Sequence, residues 1–263
     1  MALDITLGQF FPGDSPLHRL DPRAKLLLTL SMIVGVFLAD SYPAYAIFFT
    51  YVLAAAWLSG IPIRLMLKGL KAVYFIIALT FVLNAFFGTG QTVLVRWQFL
   101  TITREGLRTA VFMALRLMLL VFGTQLLTLT TSPIALTDGL ERLFSPFAKV
   151  GFPAHEMAMM MSIALRFIPT LLEEADKIMK AQTARGADFE SGNLMARAKA
   201  MIPLLVPLFV SAFRRADELA LAMEARCYRG GEHRTRLRVL KYTALDAWAG
   251  VSMAMLLTLV VVV

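Results

Sequence analysis

An all-α integral membrane protein, with about five transmembrane helices and a three-helix cytoplasmic domain inserted before the last span, is predicted by three observations. The 263 residues are 58% hydrophobic and only 17% charged, with a mean hydropathy of +0.69, a composition outside that of soluble domains. Five apolar runs are separated by short polar breaks, except for one long interruption that is strongly charged. Lys and Arg alternate in density from one break to the next, as expected when every second connection faces the cytoplasm. The organisation read from these features is residues 1–129 with four spans, 130–240 as a cytoplasmic domain of long amphipathic helices, and 241–263 as the last span.

The apolar runs are Ala24–Ala39, Tyr42–Leu58, Gly69–Phe87, Gly106–Leu129 and Ala244–Val263. At ~1.5 Å per residue against a hydrocarbon core of ~30 Å, the last three are long enough to cross. The first two are short and cross with help from snorkelling flanks or a locally thinned bilayer. Asp4 and Asp14 precede any apolar run, and no small-residue cleavage pattern follows Ala24–Ala39, so no cleavable signal peptide is expected.

With the N-terminus inside, the cytoplasmic pieces hold Arg19, Arg23 and Lys25, then Arg64, Lys68 and Lys71, then 16 further Lys and Arg between Thr130 and Lys241. Only Arg96 and Arg104 fall outside, and five spans leave the C-terminus extracellular. The net charge of +8 lies beside apolar spans with no nucleic-acid motif, which fits a membrane surface. Cys227 is the single cysteine, excluding an internal disulfide, and His18, His155 and His233 lack metal-ligand spacing. No cofactor and no metal are expected on this chain.

Within 130–240, Ser132 and Pro133 read as an N-cap and first helical residue, opening a helix with Leu136, Leu140, Leu143, Phe144 and Phe147 on one face. Pro146 and Gly151-Phe152-Pro153 break it. A second helix is expected from Ala154 to Arg185, and a third from about Leu194 to Arg229 with Pro203 and Pro207 bending its first half. Arg166 and Pro169 interrupt the apolar half of the second helix, and the prolines interrupt that of the third. Both are therefore read as cytoplasmic, the alternative being an extra membrane hairpin.

Each long helix closes on a similar tripeptide, Ala184-Arg185-Gly186 and Ala225-Arg226-Cys227. One account is capping: a cation complements the helix dipole and glycine accepts the left-handed conformation at C′. The other is display of two arginines to two equivalent acidic or carbonyl-lined grooves of a two-fold partner. Met157, Met159, Met160 and Met161 cluster near the start of the second helix, either as ordinary core or lipid contact, or as an adaptable docking surface. Arg116 lies near the middle of the fourth span, where a charge is costly, and a structural role is favoured with its partner unread. Asp246 is expected at the membrane interface.

In order along the chain stand Ser15-Pro16-Leu17-His18-Arg19-Leu20-Asp21-Pro22-Arg23-Ala24-Lys25, Thr130-Thr131-Ser132-Pro133, the two Ala-Arg motifs, and Gly230-Gly231 followed by Arg234-Thr235-Arg236. Together these resemble the T component, EcfT, of energy-coupling factor transporters over nearly the whole chain. The resemblance implies a non-catalytic scaffold whose two Ala-Arg-Gly motifs, here at Arg185 and Arg226, contact grooves on a pair of cytoplasmic ABC ATPases. It also implies a membrane-embedded S component that captures a vitamin or micronutrient, with ATP and magnesium held by the ATPases. The stretches Ala198–Pro203 and Arg214–Glu218 favour a form shared among several S components. Cys227 departs from the family's glycine and leaves Gly230 and Gly231 as the expected helix terminators.

Two other classes are disfavoured by the residues. A membrane-embedded enzyme needs convergent nucleophile, acid-base or metal groups, and the expected spans contain neither histidine nor cysteine. A self-contained channel or secondary transporter would show repeated halves or broken spans, which this layout does not. No G-x-x-x-x-G-K-[ST] loop is present for ATP hydrolysis.

Overall fold

The computed structural model describes residues 10–87, 92–97, 100–189, 193–230 and 240–262. A short helix not expected from the sequence, α1 (Pro16–Arg19), precedes the expected ones: α2 (Pro22–Leu38), α3 (Tyr42–Ser59), α4 (Ile63–Phe87), α5 (Arg104–Thr130), α6 (Pro133–Phe144), α7 (Ala154–Ala184), α8 (Leu194–Ala225) and α9 (Ala244–Val262). Two short antiparallel strands, β1 (Val93–Trp97) and β2 (Leu100–Thr103), join α4 to α5. The chain separates into a unit drawn from Gly8–Gly139 with Val239–Val263 and a second drawn from Leu140–Arg238.

In the first unit, α3, α4, α5 and α9 are long and apolar enough to cross a membrane. α2 has 17 residues, or ~26 Å by helix rise, and is the shortest of the five apolar helices. Caps fix the starts: Asp21 accepts from Arg23 N before α2, Ser41 from Ala44 N before α3, and Thr103 from Gly106 N before α5. Gly60, in the left-handed region at φ +68°, closes α3. The core lies between α2, α3, α5 and α9, where Val36, Tyr45, Phe48, Val52 and Leu119 are fully buried. Gly35 lets α2 pack closely here, since a Cβ there would run into Leu257 and Phe48. The outward faces remain apolar, as at Phe75, Trp248 and Val251, because lipid is their solvent.

Arg116 finds its partners across the bundle. Its Nε donates to the Tyr45 hydroxyl at 3.2 Å, and its Nη2 donates to the Ala39 and Phe37 carbonyls at 3.3 and 3.4 Å. These carbonyls belong to the C-terminal end of α2, which an α-helix leaves unpaired, so the arginine caps the short helix from its neighbour. The role is structural, as expected, and the partner is one that sequence distance conceals.

At the other end of the bundle, three distant segments are tied by polar contacts. Lys25 is 7% exposed, and its Nζ donates to the Thr130 carbonyl (2.8 Å), the His18 carbonyl (3.2 Å) and Thr131 Oγ1 (3.3 Å). Asp246, at the start of α9, is buried against the protein. It accepts from the backbone N–H of Asp21 at 2.8 Å and from both N–H and hydroxyl of Thr243 at 2.7 and 2.8 Å. Arg23 pairs with Asp21 at 2.9 Å and lies 4.0 Å over the Tyr242 ring. Thus two of the motifs singled out above, 15–25 and 130–133, are adjoining parts of one joint that also seats α9.

Candidate coupling site

The second unit builds its site from α7 and α8. Both helices continue through their prolines, Pro169 in α7 and Pro203 and Pro207 in α8. The preceding helix α6 starts with Ser132 Oγ accepting from Ala135 N, and it ends at Phe144, earlier than its apolar spacing suggests. Phe147 falls in a 3₁₀ turn, Ser145–Val150, that Gly151 closes at φ +90°.

α7 and α8 pack as an antiparallel pair. Ile163, Phe167 and Leu171 face Ala212, Leu219 and Met223 across an apolar seam. Arg215 donates to Glu174 at 3.1 Å. The Glu174 carboxyl is held below its ordinary pKa, chiefly by a hydrogen bond from Ser211 and then by Arg215, against a desolvation that opposes the shift. Further along, Tyr228 lies 3.5 Å from His155 Nε2, while His155 Nδ1 is 2.9 Å from Glu141 of α6. Low residue numbers of α7 therefore meet high numbers of α8, and His155 links the ends of all three helices. Sequence spacing gave His155 no role because its partners lie 14 and 73 residues away.

The two Ala-Arg helix ends are built alike. After α7, Gly186 N donates to the Thr183 carbonyl and Ala187 N to the Gln182 carbonyl, both at 3.0 Å. After α8, Cys227 N donates to the Glu224 carbonyl at 2.8 Å and Tyr228 N to the Met223 carbonyl at 3.0 Å. Each pair is the Schellman pattern, with Gly186 (φ +89°) and Cys227 (φ +55°) at the left-handed position. The expected terminators Gly230 and Gly231 are not needed: α8 stops at Ala225, and Cys227 performs the turn that glycine performs in α7. Gly231 and Arg234-Thr235-Arg236 lie outside the described residues.

In both ends the Ala-Arg pair is exposed: Ala184 and Arg185 with Gly186, Ala225 and Arg226 with Cys227. Arg226 follows the end of α8 that lies beside the start of α7, whereas Arg185 follows the far end of α7. The 31 residues of α7 hold the two arginines on the order of 45 Å apart. Met157, Met160 and Met161 are exposed at helical spacing on one side of α7, and Met159 is half-buried on another.

Residues 13–237 match the family model described as CbiQ, cobalt transport protein. The chain is 57% identical to a protein of Thermosediminibacter oceani over 96% of this chain and 95% of the relative. It is 57% identical to one of Acidaminococcus fermentans over 98% and 96%, and 56% identical to one of Clostridium kluyveri over 94% and 92%. All three are named energy-coupling factor transporter transmembrane protein EcfT. With apolar helices fit to cross a bilayer and likeness running almost end to end, the chain belongs to the EcfT family of energy-coupling factor transporter transmembrane proteins.

Proposed function

We propose that this chain is the scaffold through which two cytoplasmic ABC ATPases move a membrane-embedded, substrate-binding S component during vitamin or micronutrient uptake. The observation that carries this reading is the pair of exposed Ala-Arg ends, Arg185 and Arg226, built on one capping geometry and set at opposite ends of α7. Two like grooves on two like ATPases receive one arginine each, where guanidinium bonds to acidic side chains or helix-end carbonyls. ATP and magnesium stay with the ATPases, whose changing separation pulls on the two helix ends. The antiparallel pair passes that motion to the S component.

The exposed methionines Met157, Met160 and Met161, with Met159 behind them, form a surface suited to repacking against interchangeable S components. The distribution of Lys and Arg supports an N-terminus and an α6–α8 segment in the cytoplasm of a bacterial cell and a C-terminus outside.

The test is the double variant Arg185→Glu/Arg226→Glu. Reversing a charge in a desolvated pair costs ~2–5 kcal/mol. Each site therefore loses at least roughly 30-fold in affinity. ATPases are expected to drop out of the purified complex and uptake to cease, while membrane insertion is unchanged. Normal complex yield and normal uptake would sink the assignment. Replacing the four methionines with Leu is expected to alter competition among S components, and unchanged competition removes them from the docking surface.

A further inference from the structure

The membrane unit contains a cavity of about 390 Å³ between α1, α2, α3, α5 and α9, within the ~300–1,000 Å³ range of ligand sites. Its wall is small and aliphatic, with Leu28, Ala55, Leu126, Leu127, Ala249 and Met253. Lys25 stands at one end, but its three ammonium hydrogens are directed to the Thr130 and His18 carbonyls and Thr131 Oγ1. The wall thus offers hydrocarbon chemistry and no free cation. Leu58, Leu245 and Trp248, which also line it, are exposed at 50%, 45% and 72%, so the cavity opens through the outer surface of the bundle.

Its position along the bundle is set by its neighbours. It lies beside α1, the last turn of α5 and the first turns of α9, the end at which basic residues gather. Arg19 and Lys241 are exposed there, and Arg23 is stacked on Tyr242. Exposed Trp248 sits one turn into α9, where tryptophan favours the membrane interface. An apolar hole under a basic rim, opening sideways at interface depth, matches a tail and an anionic headgroup together.

We propose that this cavity binds one acyl chain of an anionic phospholipid from the leaflet at the α1 end of the bundle, with the headgroup against Arg19 and Lys241. Water does not fill an aliphatic hole of this kind, and bilayer chains are at its mouth. The lipid wedges between α3 and α9 and completes the packing of the bundle beside the joint that seats α9.

The full transporter is reconstituted in nanodiscs of equal phosphatidylglycerol and phosphatidylethanolamine, extracted in mild detergent, and its retained lipid is read by native mass spectrometry. One phospholipid per chain is expected, enriched in phosphatidylglycerol. Filling the hole with Ala55→Phe/Ala249→Phe is expected to lower retention at least roughly tenfold, since each displaced methylene weakens hold of the tail. Arg19→Gln/Lys241→Gln is expected to erase the headgroup preference while a lipid remains, and Ile76→Phe on exposed α4 to change neither. Equal retention in the parent and the filled variant overturns the proposal. If the filled variant does not assemble, a photoreactive acyl chain on phosphatidylglycerol decides. Labelling at Leu126 and Leu127 supports the site; labelling confined to other surfaces, or crosslinks from Leu58 to a partner protein alone, overturns it.

Discussion

Lys25→Met tests whether the polar joint holds the membrane bundle together. Methionine keeps the length of the side chain and removes the ammonium. Three acceptors lose their donor: the Thr130 carbonyl, Thr131 Oγ1 and the His18 carbonyl. The first two contacts are fully buried, the third partly so. A buried acceptor left without its partner costs ~1–3 kcal/mol. The expected loss is therefore about 2–5 kcal/mol, dominated by the two buried contacts, because relief from burying the cation offsets some of the penalty. On the scale of soluble domains, ~2–4 °C per kcal/mol, the melting temperature of the purified protein falls by on the order of 10 °C. The assay is thermal unfolding in lipid nanodiscs, with Lys68→Met on α4 as a control outside the joint. A shift no larger than the control's refutes the reasoning, because it would mean that water or lipid satisfies these acceptors without the lysine.

Arg116→Met uncaps α2 and frees the Tyr45 hydroxyl, so a loss of about 2–4 kcal/mol is expected by chemical denaturation; an unchanged midpoint removes the capping role. Gly186→Ala costs about 1–2 kcal/mol at the end of α7 from backbone conformation alone, since nothing lies within 4 Å of the added Cβ. Cys227→Gly relieves a φ of +55° and makes the α8 end more protected in hydrogen exchange, with no gain elsewhere. Glu174 has a depressed folded-state pKa, so its stabilisation is present above the unfolded value near ~4.3 and is lost as pH falls through the folded value. Glu174→Gln is thus expected to lower the stability of the α7–α8 pair at neutral pH and to have no effect in strong acid; equal effects at both would rule out the pair as the cause.

Legibility of the fold followed the range of the interactions. The helix start at Ser132-Pro133 was readable because a capping hydroxyl lies three residues from the N–H it accepts. The long helices were readable from apolar spacing, and both run on through their interior prolines. The end of α8 was misread, since a glycine was expected at the left-handed position and the cysteine's small side chain supplied it. The distant partners of Arg116, Lys25 and Asp246 were unreadable for a different reason: Tyr45, Thr130 and Asp21 lie 71, 105 and 225 residues away and contribute a hydroxyl, a backbone carbonyl and a backbone N–H that no residue type advertises. The β1–β2 hairpin escaped notice because two short strands between long spans carry little periodic signal.

An antiparallel pair of helices has a local two-fold axis through its crossing, whatever its sequence. α7 and α8 have 31 and 32 residues, and each closes on Ala-Arg followed by one left-handed residue. The axis therefore relates not only backbones but the two displayed arginines, so that one unrepeated polypeptide presents a dyad. A symmetric partner of the kind proposed above needs no duplicated chain to engage it, and glycine against cysteine at the two left-handed positions is the difference by which the halves of such a partner are told apart.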